Sequence, residues 1–264
     1  MSGNTVGWFG LGVSLAFVAA ATLLTAQQRL RLSRPIAIAV LRSLAQMAVV
    51  GAALVLVVEP DTPLAWSWSW VAVIVVFASV TVARRAPDVP GLLAVSFAVH
   101  ALVAVIGLSI VFGLGVFELT GRSLVPVSGM VIGGAMKAAV VAASRVVDVT
   151  AEHRDEIEAG LALGMSVREA TRRLLRSALR TAISPQLEQI AGLGIVFLPG
   201  AMTGLILAGM DPVDAVRTQL ALMYVMLAAV VIAAVGVGLG ALRGLTTSQQ
   251  TLVRLPRAAS NDVR

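Results

Sequence analysis

Residues 150–184 read TAEHRDEIEAGLALGMSVREATRRLLRSALRTAIS. The stretch is dense in ionisable side chains and sits between long apolar runs. Its flanks read as membrane and it does not, so the chain is expected to carry one structured polar arm. Thr150 has the chemistry of a helix cap, which predicts a helix from Ala151, with Glu152, Asp155 and Glu156 in early turns where acids suit the dipole. Gly164 is placed to end that helix in a left-handed conformation. Ser166-Val167-Arg168-Glu169 has the spacing of a capping box. The arm therefore reads as helix, tight turn, helix. In its second helix Arg168, Arg172, Arg176 and Arg180 step by four along one face. Val167, Ala170, Leu174, Ala178 and Ile183 occupy another. Such a helix can lie in the membrane interface with its bases toward anionic headgroups, or its preceding turn can dock a partner.

Composition supports the membrane reading. Of 264 residues, 58% are hydrophobic and 13% charged, and mean hydropathy is +0.92. Soluble domains carry roughly one-quarter charged residues, and a core of this size cannot absorb so much apolar surface. Bilayer is the expected solvent. With no cysteine, disulfides and thiolate metal sites are excluded. Net charge is +6, almost all of the bases are arginine, and the only lysine is Lys137. A phosphate-binding P-loop needs Gly-Lys-Ser/Thr, whereas Lys137 lies between Met136 and Ala138. The chain is not itself a P-loop ATPase. Nothing in it suggests nucleic-acid binding.

Seven runs are long enough to span as helices, at about 17–25 residues each. They are Val6–Leu24, Ile36–Val58, Trp66–Val82, Leu92–Phe112, Val125–Val147, Leu187–Ala208 and Leu220–Leu242. The first base, Arg29, follows the first run, so that run reads as a membrane helix and not as a signal peptide. Arg29, Arg31 and Arg34, then Arg84 and Arg85, then the arm's arginines with Arg145, then Arg243, Arg254, Arg257 and Arg264 fall on alternate connections and the tail. The other loops hold Arg122 and Arg217 beside Glu59, Asp61, Glu118, Asp211 and Asp214. The positive-inside rule then gives an all-α, seven-helix protein with the N-terminus outside and the C-terminus cytoplasmic. One transmembrane domain, 1–245, would carry the arm 150–184 and a flexible tail 246–264. Trp66, Trp68 and Trp70 suit the outer interface, where amphipathic rings settle, and can equally be lipid-facing anchors with no other role.

Several side chains suit a pathway, and each has a bland alternative. Pro199 removes a backbone donor in what reads as mid-helix, while Gly200 and Gly204 permit close approach. The kink faces either a cavity or a packed neighbour. Lys137 at membrane depth is costly and suits a cavity or a partner. Arg42 and Gln46 lie one turn apart, and Arg42 either borders a pathway or snorkels to the surface. Met130, Met136 and Met202 are soft potential ligands or packing filler. His100 reads as a hydrogen-bonded structural histidine before it reads as a ligand. No catalytic triad, zinc set or carboxylate pair emerges, so an enzyme is not expected, and no metal site is assigned.

Glu158-Ala159-Gly160-Leu161-Ala162-Leu163-Gly164 resembles the EAA loop of ABC-transporter permeases, Glu-Ala-Ala-x-x-x-Gly, with Gly160 in the third position and the motif's usual proline displaced to Pro185. In that family the loop forms a coupling helix seated in a cleft of the ATPase. Leu198-Pro199-Gly200-Ala201-Met202-Thr203-Gly204-Leu205-Ile206-Leu207-Ala208-Gly209 resembles the Leu-Pro-Gly-x-Met-x-Gly-x-Ile-Leu-x-Gly pattern of the FetB family of iron and metal export permeases. Pro126, Gly129, Met130 and Gly133 match its Pro-x-x-Gly-Met-x-x-Gly segment, and Arg42 and Gln46 its Arg-x-x-x-Gln. Leu205 stands where that family often has glutamine, and Gly134 and Lys137 where it has asparagine.

The resemblance implies a multi-pass permease subunit of a bacterial plasma-membrane ABC exporter, acting as a homodimer. A separate ATPase would bind ATP-Mg, and this chain would hold no cofactor. Coupling would fall on Glu158, Ala159, Gly160 and Gly164. Arg42, Gln46, Met130, Gly133, Lys137, Pro199, Gly200, Met202 and Gly204 would be the pathway candidates. Iron or another metal is the implied cargo. The lysine and the missing asparagines leave an anionic or chelated solute open, carried with the ATPase or by a secondary transporter or channel without one. A scaffold whose basic arm recruits proteins or lipid is a third reading.

Overall fold

The protein is described from a computed structural model covering residues 8–30, 32–57, 63–194, 198–247 and 251–253. Arg31, Glu59, Asp61, Arg254, Arg257 and Arg264, used above for orientation, lie outside the described residues. Two compact units divide at Thr62 and Pro63. In the first, α1 (Trp8–Gln27) pairs with α2 (Ser33–Val57).

The second unit holds α3 (Leu64–Arg85), α4 (Leu92–Gly113), α5 (Gly121–Glu152), α6 (Arg154–Ala162), α7 (Val167–Ala191), α8 (Gly200–Leu207) and α9 (Pro212–Gly244). Its centre is the packing of α5 on α9, flanked by α3 and α4, with α7 laid across both. The contact faces are built from small side chains. Ala135, Ala139, Ala142, Ala143 and Val146 of α5 are buried, as are Ala229, Ala233, Ala234, Val237 and Ala241 of α9. Between apolar helices in lipid, small residues let backbones approach so that dispersion can hold them. Among the described residues five helices are long and apolar enough to cross a membrane: α1 from Phe9, α3, α4, α5 and α9.

Two expectations fail locally. Thr150 does not cap a helix at Ala151. It is buried inside α5, which runs on to Glu152, and His153 precedes α6. Packing of Val146, Val149 and Thr150 carries α5 through the site and overrides threonine's local preference for a cap. The run Leu187–Ala208 is also not one continuous helix. α7 ends at Ala191, Gly194 takes a φ of 79°, and α8 begins only at Gly200. Pro199 is therefore the residue before α8 and not a mid-helix kink. The glycines and the proline interrupt a stretch whose hydropathy alone looks unbroken.

Candidate functional site

The arm is a helical hairpin of α6 and α7. α6 ends as predicted: Gly164 has φ 88°, its N–H donates to Leu161 O at 3.0 Å, and Met165 N–H donates to Gly160 O at 3.1 Å. That pair of bonds is the Schellman closure, which needs a left-handed residue where Gly164 stands. α7 starts with the expected capping box. Glu169 N–H donates to Ser166 Oγ at 3.3 Å, and Ser166 N–H donates to Glu169 Oε2 at 2.9 Å. The Ser166 hydroxyl, and then its N–H, holds the Glu169 carboxyl below its usual range.

The hairpin is also pinned by ions. Arg173 on α7 donates from Nη2 to both oxygens of Glu156 at 2.8 and 2.9 Å. His153 Nδ1 approaches the same carboxylate at 3.2 Å. The Arg173 hydrogen bond chiefly, with the nearby positive charge, lowers the Glu156 pKa. Gly160 is buried at the crossing, where a Cβ would meet Met165 Sδ at 3.3 Å and Ala170 Cβ at 3.4 Å. Glu158 and Ala159 stay exposed beside it, and Leu163 at the tip is 85% exposed. The arm thus presents an exposed apolar tip at Leu163 and, earlier on α6, the exposed Glu158 carboxylate. Arg168, Arg172, Arg176 and Arg180 are exposed on α7, while Leu174 and Ala178 are buried, as the pattern predicts.

A cavity of about 510 Å³ opens between α5, α7 and α9. From α5 it receives Met130, Gly133 and Lys137, three of the predicted pathway residues, with Gly129, Gly134 and Met136. Steps of three and four place Met130, Gly133 and Lys137 along one helix face. No heavy atom lies within 4 Å of a Cβ built on Gly129 or Gly133, so these glycines border open space. Lys137 is exposed, and among the described residues it has no ion-pair partner. α9 contributes Met226 and Val230.

The α7 wall holds Pro185, which the sequence reading named only as the displaced motif proline, and Gln186 and Gln189, which it missed. Gln186 is 9% exposed, and among the described residues its Nε2 has no hydrogen-bond partner. The signal was the polar run Pro185-Gln186-Leu187-Glu188-Gln189 inside an otherwise apolar segment. Ending the arm at Ser184 and starting a span at Leu187 hid it.

The remaining candidates lie elsewhere. Met202 is buried on α8, and no heavy atom lies within 4 Å of a Cβ at Gly200 or Gly204. None of Pro199, Gly200, Met202 and Gly204 lines the cavity. Arg42 and Gln46 are exposed on α2, in the first unit. His100 is buried, with Nδ1 2.8 Å from Ser96 O and 3.2 Å from Ser96 Oγ, which fits the structural histidine expected. Among the described residues no three His, Asp or Glu side chains gather as a metal-binding group.

Long apolar helices, a small-residue core and a polar hairpin define a multi-pass α-helical membrane protein. The chain belongs to UPF0014, described as an uncharacterised protein family, whose model matches residues 8–245. It is 31% identical to the UPF0014 membrane protein YjkA of Bacillus subtilis over 84% of this chain and 88% of that one. It is 33% identical to the UPF0014 membrane protein STAR2 of Oryza sativa over 81% of this chain and 75% of that one. A third relative is named "Probable iron export permease protein FetB" of Escherichia coli, at 27% identity over 82% of this chain and 83% of that one. No solved structure matches the chain significantly.

Proposed function

We propose that this chain is the permease subunit of an ABC exporter, working as a homodimer with a separate ATPase that binds ATP-Mg, and moving iron or another metal. The observation that carries the reading is the hairpin. A nine-residue helix with an exposed carboxylate and an exposed apolar tip is clamped to α7, and α7 runs on to the wall of the cavity. A push on α6 therefore has a rigid route to the membrane cavity. The FetB relative is named for iron export by a permease, which supports the cargo and its direction. The termini take the orientation that the arginines favour, N-terminus outside and C-terminus inside. Seven crossings result, the sixth a broken one made by the outer half of α7 and α8.

Closure of an ATPase pair around the hairpin would move α6 and tilt α7 against α5 and α9. The cavity would then alternate in access, provided that nucleotide binds one state more tightly than the other. Purification from native membrane should bring a P-loop ATPase down with the chain. In liposomes holding both subunits, Glu158→Lys should insert normally and lose ATP-driven transport. Undiminished coupling in that variant would refute the docking role. A second reading, a secondary transporter or channel for an anionic or chelated solute, is favoured by Lys137 in the cavity, which has no ion-pair partner among the described residues. It predicts transport that follows an ion gradient and ignores ATP.

A further inference from the structure

We infer that the α5–α7–α9 cavity binds an organic anion, with an oxyanion head held by Lys137 and Gln186 and an apolar body lying on Met130, Met136 and Met226. The inference rests on the permease reading and specifies what that permease handles. A metal cargo would then enter as a complex whose organic ligand carries the negative charge.

The donor set decides the class. Among the described residues the lining offers one ammonium, two amides and three thioethers, and no carboxylate. Hard cations are held by carboxylate and carbonyl oxygens. The ammonium would repel a bare cation, and no acidic group in the lining offsets it. Lys137 is residue 17 of the 32 in α5, so about 24 Å of helix separates it from either end. An ionised side chain at that depth faces a cavity or a partner, and Lys137 is exposed on the cavity lining. Gln186 adds a buried donor with no acceptor, which costs the desolvation of that amide. One oxyanion placed between them would give the ammonium a counter-charge and the buried amide an acceptor, and Gln189 stands one turn on to receive a second oxygen.

The rest of the lining fits the other end of such a molecule. Three methionines are flexible, polarisable surface that adapts to different apolar shapes. Gly129 and Gly133 keep the wall clear of side chains. The volume is in the range of small-molecule sites, about 300–1,000 Å³, lined mostly by apolar groups with a few placed polar ones.

The test is binding to the full chain, without ATPase, in nanodiscs of zwitterionic lipid. Hexanoate and hexyl phosphate are titrated beside hexanol, inorganic phosphate and ferric ion, and the thermal unfolding midpoint is read. The two amphipathic anions should raise the midpoint in a saturable way, while hexanol, phosphate and ferric ion alone should not. Lys137→Gln should weaken anion binding about tenfold or more, as expected for loss of a charge-assisted bond, and Lys137→Arg should retain it. Gln186→Leu should also weaken binding while raising the stability of the unliganded protein, because it removes an unsatisfied buried amide. That opposite pair of signs separates a ligand contact from a structural one. Equal binding by wild type and Lys137→Gln, or saturable binding of ferric ion alone, would overturn the inference. Anion binding with no ATPase capture would refute the permease reading instead, and ATPase capture with no anion binding would refute only the cavity assignment.

Discussion

Arg154 Nε lies 2.7 Å from Glu158 Oε1, one turn along α6, and the same guanidinium donates from Nη1 to Val253 O at 3.1 Å. One side chain thus joins the Glu158 carboxylate to a segment almost a hundred residues later. Leu252 is buried beneath this contact and bridges to Thr246. Both charged partners are partly exposed, so the pair itself stabilises by at most about 1 kcal/mol. Arg154→Gln should therefore leave the unfolding midpoint within a few degrees of wild type. It should instead free residues 251–253, which amide hydrogen exchange would report as faster exchange at those positions. Unchanged protection there would show that burial of Leu252 and the backbone bonds from Val253 N–H to Leu245 O and from Thr247 N–H to Thr251 O hold the segment without Arg154.

Gly160 gives a graded prediction. A Cβ at this position meets Met165 Sδ and Ala170 Cβ at 3.3 and 3.4 Å, tight contacts in which the methionine end can move. In a helix, alanine is favoured over glycine by about 1 kcal/mol, so Gly160→Ala should be close to neutral in thermal unfolding. Gly160→Leu cannot be absorbed by moving one thioether and should cost about 1–3 kcal/mol through overpacking. It should also open the hairpin to protease between residues 161 and 166. A leucine variant as resistant as wild type would mean that α6 and α7 are not packed at Gly160.

The acid sensitivity of the hairpin follows from Glu156 and Glu169. Both carboxyls titrate below their usual range, Glu156 chiefly through Arg173 and Glu169 chiefly through Ser166. A depressed carboxylate contributes stability above the unfolded value, near pH 4.3 for glutamate. That contribution is lost as pH falls through the lower folded values. Spin labels at Ala159 and Arg176 should keep one distance at neutral pH and broaden below about pH 4. In the double variant Glu156→Gln with Glu169→Gln, the broadening should already be present at neutral pH and change little on acidification. High salt should mimic part of the effect, because it screens the exposed Glu156–Arg173 pair and leaves the Ser166–Glu169 hydrogen bonds in place. A distribution that stays narrow throughout would assign the hairpin's rigidity to Gly160 and Ile157 packing alone.

The long apolar runs told most about the fold, and for a clear reason. Leu92–Phe112 and Trp66–Val82 fall almost on α4 and α3 because a continuous lipid-compatible stretch permits little but a helix. Ser166, Glu169 and Gly164 were equally legible, since caps are local chemistry. What failed depended on tertiary context. Whether Thr150 caps or continues a helix is decided by burial of its face on α5, and nothing adjacent in sequence records that. Hydropathy cannot see the break between Ala191 and Gly200, because glycines in a left-handed conformation are still apolar residues. Of the candidate site, Met130 and Gly133 were singled out by the family-like pattern from Pro126 to Gly133, and Lys137 by its charge at membrane depth. Gln186 was not, because its role arises only when α7 lies across α5.

The seam between α9 and the start of α4 supplies the sharpest packing test. Gly236, Gly240 and Gly244 recur every four residues on α9, against Val99, Val95 and the Val89-Pro90 turn. A Cβ on Gly236 would stand 2.8 Å from Val99 Cγ2, and one on Gly244 would stand 2.8 Å from Pro90 O. At Gly240 the clash is with Val95 Cγ1 and is closer still. Substitution here forces two backbones apart over several turns. Gly240→Ala should therefore destabilise by about 1–3 kcal/mol despite alanine's better helix propensity. Gly12→Ala, where nothing lies within 4 Å of the new Cβ, should be neutral or mildly stabilising. If the Gly240 loss comes from Val95, then Val95→Ala should be less damaging in the Gly240→Ala background than alone, with a coupling of about 0.5–3 kcal/mol. Strictly additive unfolding energies for the two substitutions would place Val95 away from Gly240 and undo the packing of α4 on α9 described above.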